Sequence, residues 1–130
     1  MSRTPKDVIA DHYAASTRGD LDGMIADFAP DIAWTEAAGF PLAGTYHGPE
    51  AVKTGVFMAL GADWDGWAVH VDELVGEGDT VVAIGWYTST HRATGKALRT
   101  RVAHVWTVRD EQVVAFEQIT DTLPVRDAAS

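Results

Sequence analysis

The sequence predicts an α+β fold in which three N-terminal helices pack on a strongly bent, mainly antiparallel sheet. Apolar residues at helical spacing are concentrated in the first half of the chain, and four long strand-like segments fill the second half. Helices grouped before a meander of strands are typical of an α+β layer. A length of 130 residues corresponds to one domain, so we expect residues 1–130 to fold as a single unit.

The first two helices follow each other closely. Thr4 is suited to cap a helix whose apolar face carries His12 and Tyr13. Asp20 is suited to cap the second helix, and helical spacing places Phe28 at the end of its apolar stripe, before a proline stops it. Both helices are therefore expected to present an apolar face to the sheet.

A short strand and the third helix come next. Residues 31–36 alternate so that Trp34 and Glu36 share one face of a strand. Residues 37–47 are rich in glycine and alanine and are predicted to be a long connection. A third helix follows, and its buried side includes Phe57.

Four strands complete the predicted sheet. Short turns join them, which predicts antiparallel hairpins, and their length predicts strong bending. Only the last few residues, 127–130, are predicted to be an unstructured end. The strands are expected at residues 67–75, 80–91, 97–108 and 112–120.

Charge and composition narrow the range of partners. The formal net charge is −9, which disfavours binding to nucleic acid and to anionic membranes. The chain has no cysteine, and its five histidines show no metal-ligand spacing, so we expect no disulfide and no metal site. The N-terminus lacks the apolar stretch of a signal peptide, so a cytoplasmic protein is the default expectation.

Several short stretches of the chain carry a family resemblance. They are residues 19–22 (GDLD), 28–31 (FAPD), 44–52 (GTYHGPEAV), 78–79 (GD) and 104–110 (HVWTVRD). Over about residues 5–122 the sequence resembles the SnoaL-like, ketosteroid-isomerase-related branch of the nuclear-transport-factor-2-like superfamily. The resemblance implies a cone built around one small-molecule pocket, and a homodimer that pairs through the outer face of the sheet.

Glu36 is the first candidate for a catalytic residue. Because its strand face also holds Trp34, we expect partial burial to raise the pKa of the carboxyl group and to make it a proton acceptor near neutral pH. In the resembling isomerases, an aspartate general base lies five residues after the aspartate that opens this strand. The same count from Asp31 reaches Glu36. The alternative is a glutamate at a strand end that is solvated or paired with an arginine.

His104 is the second candidate, and it shares a strand face with Val102 and Trp106. The resemblance places it where the isomerases carry a protonated aspartic acid that donates to an oxyanion. An imidazole can also donate a hydrogen bond, so the role can persist with a different residue. The alternative is a core histidine whose hydrogen bond goes to a backbone carbonyl.

The first helix and the last strand supply further candidates. The oxyanion-donating tyrosine of the isomerases aligns with His12, one residue before Tyr13, and core packing is the alternative for Tyr13. In the polyketide-cyclase branch a late aspartate acts as acid and base, a role that Asp121 can fill, with Glu117 deeper on the same face. The alternative for this pair is a solvated strand end or an ion pair with an arginine.

The walls of the pocket are expected to be aromatic. Tyr87 and His91 alternate along one strand and would add hydrogen-bond donors if their face is concave. A flat, hydrophobic ring compound suits such walls. The remaining predicted lining residues are Phe28, Trp34, Phe57, Val102 and Trp106.

These residues predict a cofactor-free enzyme that transfers a proton next to the carbonyl group of a hydrophobic small molecule. Glu36 would remove the proton, and His104, helped by His12 or Tyr13, would stabilise the enolate oxygen. Isomerisation, dehydration and aldol-type cyclisation share this first step. One alternative is a non-catalytic module that binds a polyketide, steroid or lipid. Another is a structural domain whose pocket is filled by its own side chains.

Overall fold

The structure, a computed structural model, describes residues 2–130, and its first two helices begin at the predicted caps. Helix α1 spans Pro5–Thr17 and helix α2 spans Leu21–Ile25. Thr4 Oγ1 accepts from the Asp7 backbone N–H at 3.1 Å, and the Asp7 carboxylate accepts from the Thr4 N–H at 3.0 Å. This reciprocal capping box satisfies two N–H groups that the helix itself leaves without partners.

The third helical region runs without a break from residue 49 to residue 63. It consists of α3 (Pro49–Val52), a π-helical segment (Lys53–Met58) and α4 (Ala59–Asp63). Short π-helical segments inside α-helices are often found at functional sites. Here the segment carries Val56 and Phe57 to the space between the helices and the sheet.

The sheet has six strands in the order β2-β1-β6-β5-β4-β3, and it confirms the predicted α+β class. All neighbouring pairs are antiparallel except β1 and β6, which are parallel. The strands are β1 (Phe28–Glu36), β2 (Gly44–His47), β3 (Trp64–Glu77), β4 (Thr80–His91), β5 (Ala97–Arg109) and β6 (Gln112–Thr120).

Three local predictions were wrong. Phe28 begins β1 instead of ending α2, because α2 stops after one short turn at Ile25. Strand β2 lies inside the predicted connection 37–47 and pairs with the end of β1. The predicted unstructured end, 127–130, overlaps helix α5 (Leu123–Ala128), whose Val125 side chain is fully buried.

The core lies between the helices and the inner face of the sheet. Val8 and Ile9 of α1 are buried there together with Val81 of β4 and Trp106 of β5. Cross-strand register brings residues of distant sequence position side by side, since His104 of β5 lies opposite Gln118 of β6. No helix within residues 2–130 combines the length and the apolar character needed to cross a bilayer.

Candidate active site

A cavity of about 260 Å³ lies between α1, the third helical region and the inner face of the sheet. Most of its wall is apolar or aromatic, which is typical of small-molecule sites. The apolar wall includes Leu21, Met24, Trp34, Val56, Phe57 and Trp67. The polar side chains that reach it are few, and they come from α1, β1, β4, β5 and the turn between β4 and β5.

Glu36 stands at the end of β1 and lines this cavity. Its side chain is buried, and Oε2 has no hydrogen-bond partner among the described residues. Burial raises the pKa of Glu36 from 4.5 to about 7, because the charged form loses its hydration. The Trp34 indole N–H approaches closely enough to offset part of this shift, but it does not reach hydrogen-bond geometry, and Nε1 also lacks a partner.

His104 lies between two tyrosines. Its Nδ1 is 2.6 Å from the Tyr13 hydroxyl oxygen, and its Nε2 is 2.6 Å from the Tyr87 hydroxyl oxygen. All three side chains line the cavity. The sequence separations are 91 and 17 residues, so only the packing of α1 on β5 and the pairing of β4 with β5 assemble this chain of hydrogen bonds.

Each tyrosine oxygen also accepts a hydrogen bond from a second side chain. Trp106 Nε1–H donates to the Tyr13 oxygen at 3.0 Å, and Gln118 Nε2–H donates to the Tyr87 oxygen at 2.9 Å. The Gln118 amide has a fixed orientation, because its Oε1 accepts the backbone N–H of Ala37 at 3.0 Å. The two phenol rings are therefore positioned before any ligand enters.

Both ring nitrogens of His104 have hydrogen-bond partners in the protein. This corrects the prediction that His104 itself donates to a ligand oxygen. Burial, with a smaller contribution from nearby His12, lowers the pKa of His104 from 6.5 to about 3, so the ring is neutral at physiological pH. The structure brings His104 to the cavity as predicted. It does not leave an imidazole N–H free for a ligand, since Tyr13 and Tyr87 occupy both nitrogens.

The predicted role of His12 as a hydrogen-bond donor is also wrong. Its Nδ1 is 2.8 Å from the Met24 carbonyl oxygen, and a carbonyl can only accept, so Nδ1 carries the proton. Burial lowers the pKa of His12 to about 4, which leaves Nε2 as a bare acceptor at neutral pH. His12 lines the cavity, but it offers an acceptor there and not a donor.

Of the five remaining wall residues that the sequence predicts, Trp34 and Phe57 line the cavity. Phe28, Val102 and Trp106 are instead buried in the core behind it. Phe28 and Trp106 still contact the site indirectly. Phe28 stacks on the His12 ring, with centroids 5.9 Å apart, and Trp106 makes an edge contact with it at 4.7 Å.

Glu117, Asp121 and His91 lie outside the cavity. Near the cavity, Phe116 and Gln118 of β6 are buried while Glu117 and Asp121 are exposed, so the face predicted from Glu117 and Asp121 is the outer one. The Asp121 carboxylate accepts the Leu123 N–H at 3.2 Å, near the start of α5. His91 packs edge-on against Trp64, with centroids 4.7 Å apart, and does not line the cavity.

Sequence reasoning missed Gln118, whose amide positions Tyr87. The alternation of the strand contained the signal, because Gln118 lies two residues after Phe116 and shares its face. It also missed Arg92, which lines the cavity and whose Nε donates to the Gly61 carbonyl at 3.2 Å. Residues 2–130 contain no group of three or more histidine and acidic side chains placed to hold a metal ion.

A family profile and several solved structures are similar to this chain. Residues 9–116 match the sequence profile of SnoaL-like domains. An NTF2-like protein from Burkholderia thailandensis E264 is 51% identical and has a TM-score of 0.97, with 99% of each chain covered. No curated protein sequence matches the chain significantly.

Two more distant structures share the fold. TerC, crystallised with polyporic acid, is 25% identical, covers 97% of this chain and 98% of its own, and has a TM-score of 0.87. A protein of ketosteroid-isomerase-like fold from Catenulispora acidiphila DSM 44928, in complex with trimethylamine, is 17% identical. It covers 95% of this chain and 92% of its own, with a TM-score of 0.83.

Proposed function

The chain belongs to the SnoaL-like domain family, and from this premise we propose that it transfers a proton next to the carbonyl group of a small cyclic compound. One observation carries the proposal. A buried carboxylate without a partner, Glu36, and the tyrosine hydroxyls held by His104 line the same apolar cavity. A base and a hydrogen-bond donor in one apolar cavity are the two groups that enolisation requires.

Glu36 is suited to remove the proton. A general base works best when its pKa lies near the working pH, and burial has already raised the pKa of Glu36 to about 7. The carboxylate has no competing hydrogen bond at Oε2, so nothing in the protein has to be displaced before it accepts a proton. The bound ligand supplies the contact that this oxygen lacks.

A tyrosine hydroxyl is suited to stabilise the developing enolate oxygen. Burial raises the pKa of both Tyr13 and Tyr87 well above the ordinary phenol value, so each stays protonated and donates instead of ionising. In this proposal the tyrosines take the donor role that the sequence suggested for His104, and His104 positions them. Positioned donors of this kind act on charge as it develops and need no reorganisation during the reaction.

The size of the cavity points to a compact substrate. An apolar cavity of about 150 Å³ can hold benzene. The cavity here, at about 260 Å³, has room for one or two fused rings. The relative TerC was crystallised with polyporic acid, which agrees with a cyclic, oxygen-bearing ligand for the family fold. Isomerisation, dehydration and cyclisation all begin with the proposed proton transfer.

Proton exchange into D₂O tests the proposal without knowledge of the natural substrate. The probe is 2-tetralone, a two-ring ketone with acidic protons next to its carbonyl, and NMR follows their replacement by deuterium. We expect the protein to accelerate exchange and Glu36→Gln to lose about 10²- to 10⁴-fold of that acceleration, the usual contribution of a general base. The matched control, Glu77→Gln, changes an exposed glutamate at the end of β3 and should retain full acceleration.

Two results would redirect the assignment. If Glu36→Gln exchanged 2-tetralone as fast as the unmodified protein, Glu36 would not be the base. If the unmodified protein bound 2-tetralone without accelerating exchange, the site would be that of a binding module, the alternative that the unpartnered polar atoms Trp34 Nε1 and Glu36 Oε2 also favour.

We also propose that two copies of the chain pair through the outer face of the sheet. Cross-strand register places an apolar patch there, formed by Val75, Val82, Ile84, Ala103, Val105 and Ile119. Val75 is 53% exposed and Ile119 is 51% exposed in the single chain. Exposed apolar patches of this kind often mark protein interfaces.

Sedimentation equilibrium measures this pairing. We expect the mass of a dimer for the unmodified protein and a shift toward the monomer for Ile119→Lys, which places a charge in the patch. Met58 has the same exposure, 51%, but lies on the third helical region, so Met58→Lys is the matched control and should stay dimeric. A monomeric unmodified protein would refute the proposed pairing.

A further inference from the structure

The protons shared by Tyr13, His104 and Tyr87 can be counted. Each tyrosine oxygen already accepts one N–H bond, from Trp106 in one case and from Gln118 in the other. Each also lies 2.6 Å from one nitrogen of His104. A phenol has a single proton to give and a second lone pair to accept with, so the direction of each His104 bond depends on which nitrogen carries the ring proton.

A neutral imidazole has one N–H donor and one bare acceptor. His104 therefore donates to one tyrosine and accepts from the other. The tyrosine that donates to His104 has used its only proton. The tyrosine that accepts from His104 keeps its proton, and the cavity is the space left for it, because Trp106 or Gln118 and His104 occupy its other sides.

We propose that the tautomer of His104 selects which of the two tyrosines donates into the cavity, and that this trio offers a ligand one phenolic hydrogen bond at a time. With the proton on Nε2, His104 donates to Tyr87, and the hydroxyl of Tyr87 is free to donate to the ligand. With the proton on Nδ1, His104 donates to Tyr13, and the hydroxyl of Tyr13 is free to donate to the ligand. The inference rests on the proposed function only in taking the cavity as the ligand site.

This arrangement defines the chemistry of the ligand atom that meets the trio. A single acceptor oxygen, as in a ketone, an enolate or a phenolate, uses the one free hydroxyl fully. A group that needs both tyrosines as donors at once would leave one of its oxygens without a partner, which is costly in a buried site. His104 is thus a positioning residue that acts through the tyrosines and does not touch the ligand with its nitrogens.

Single tyrosine-to-phenylalanine variants test the inference, because each should fix one tautomer. In Tyr13→Phe the only remaining oxygen faces Nε2, and in Tyr87→Phe it faces Nδ1. An unsatisfied buried N–H is rarer than an unsatisfied acceptor, so the ring proton should stay on the nitrogen that still faces an oxygen. We expect the Nε2–H tautomer in Tyr13→Phe and the Nδ1–H tautomer in Tyr87→Phe.

Long-range ¹H–¹⁵N NMR of ¹⁵N-histidine-labelled, ligand-free protein reports the tautomer directly, because protonated and bare ring nitrogens resonate far apart. His12 is an internal reference of known tautomer, since its Nδ1 must donate to the Met24 carbonyl.

Opposite tautomers in the two variants would support the inference, and the same tautomer in both would overturn it. The unmodified protein provides a second test that needs no variant to fold, because a doubly protonated His104 at pH 7 would also overturn it. These spectra are recorded without ligand or turnover. The 2-tetralone experiment can therefore fail while the tautomer result holds, and the reverse is equally distinguishable.

Discussion

Replacing Glu36 with glutamine should raise the free energy of unfolding by about 3 kcal/mol above pH 7 while removing the proposed base. The folded-state pKa of Glu36 is raised from 4.5 to about 7, so the folded protein retains a proton that the unfolded chain has already released. At about 1.36 kcal/mol per pKa unit, holding the carboxylate charged in the cavity costs about 3 kcal/mol. Glutamine has nearly the same shape and no charge.

The pH dependence gives this prediction its signature. For an acid whose folded-state pKa is raised, stability is greatest below the unfolded-state value and is lost as pH rises through the folded-state value. The difference between Glu36→Gln and the unmodified protein should therefore be close to zero below pH 4.5. It should grow between pH 4.5 and 7 and level off above pH 7.

Urea unfolding at a series of pH values measures this difference, with Glu77→Gln as the exposed control. A gain in stability together with lost proton exchange would show that the charge of Glu36 is maintained for function at the expense of stability, as expected of an active site. A stability difference that does not change with pH would contradict a raised pKa for Glu36.

The second large effect is a loss of stability in acid that His12 and His104 cause together. Burial lowers their pKa values from 6.5 to about 4 and about 3, so the unfolded chain takes up protons that the folded protein refuses. For a base with a lowered folded-state pKa, stability falls as pH falls from 6.5 toward the folded-state value. The full penalties are about 3 kcal/mol for His12 and about 5 kcal/mol for His104.

Glu36 acts in the opposite direction over part of the same range. As pH falls from 6.5 to 4.5, the two histidines lower the free energy of unfolding by about 2.7 kcal/mol per pH unit. Glu36 raises it by about 1.4 kcal/mol per pH unit over the same range. The unmodified protein should therefore lose about 1.4 kcal/mol per unit, and Glu36→Gln about twice that slope. Equal slopes with and without Glu36 would contradict the assigned pKa values.

The sequence predicted the residues whose environment is local. Glu36 shares a strand face with Trp34, and His104 shares one with Trp106, so period-two alternation was enough to predict their burial. The class of fold followed in the same way from the long strands and the helices before them. The family of the chain followed from short stretches that matched a known pattern, and the SnoaL-like profile confirms it.

The hydrogen-bond partners of His104 could not be predicted from the sequence, because they depend on long-range packing. Nothing near His104 in the sequence indicates that Tyr13, 91 residues away, reaches Nδ1. The prediction of which face of β6 points inward was wrong for a similar reason. Alternation places Gln118 on the same face as Phe116, but both faces of β6 carry apolar and polar residues, and the pairing of Gln118 with His104 of β5 shows which face points inward.

The local fold errors also have physical causes. Strand β2 is four residues long, lies at the sheet edge and has no buried residue, so it carries no alternating apolar signal. Helix α5 is six residues long and depends on burial of Val125 and Ala128 for its stability. Intrinsic propensity is weak in such short elements, and tertiary contacts determine whether they form.

A pH titration of the Glu36 side-chain carboxyl carbon by ¹³C NMR tests the central claim most directly. Glu36→Gln identifies the resonance, because that variant lacks it. The claim that a buried, unpartnered carboxylate serves as a general base predicts a midpoint near pH 7. A midpoint near 4.5, the ordinary value for a glutamate, would mean that Glu36 is solvated in solution and would contradict the proposed proton transfer.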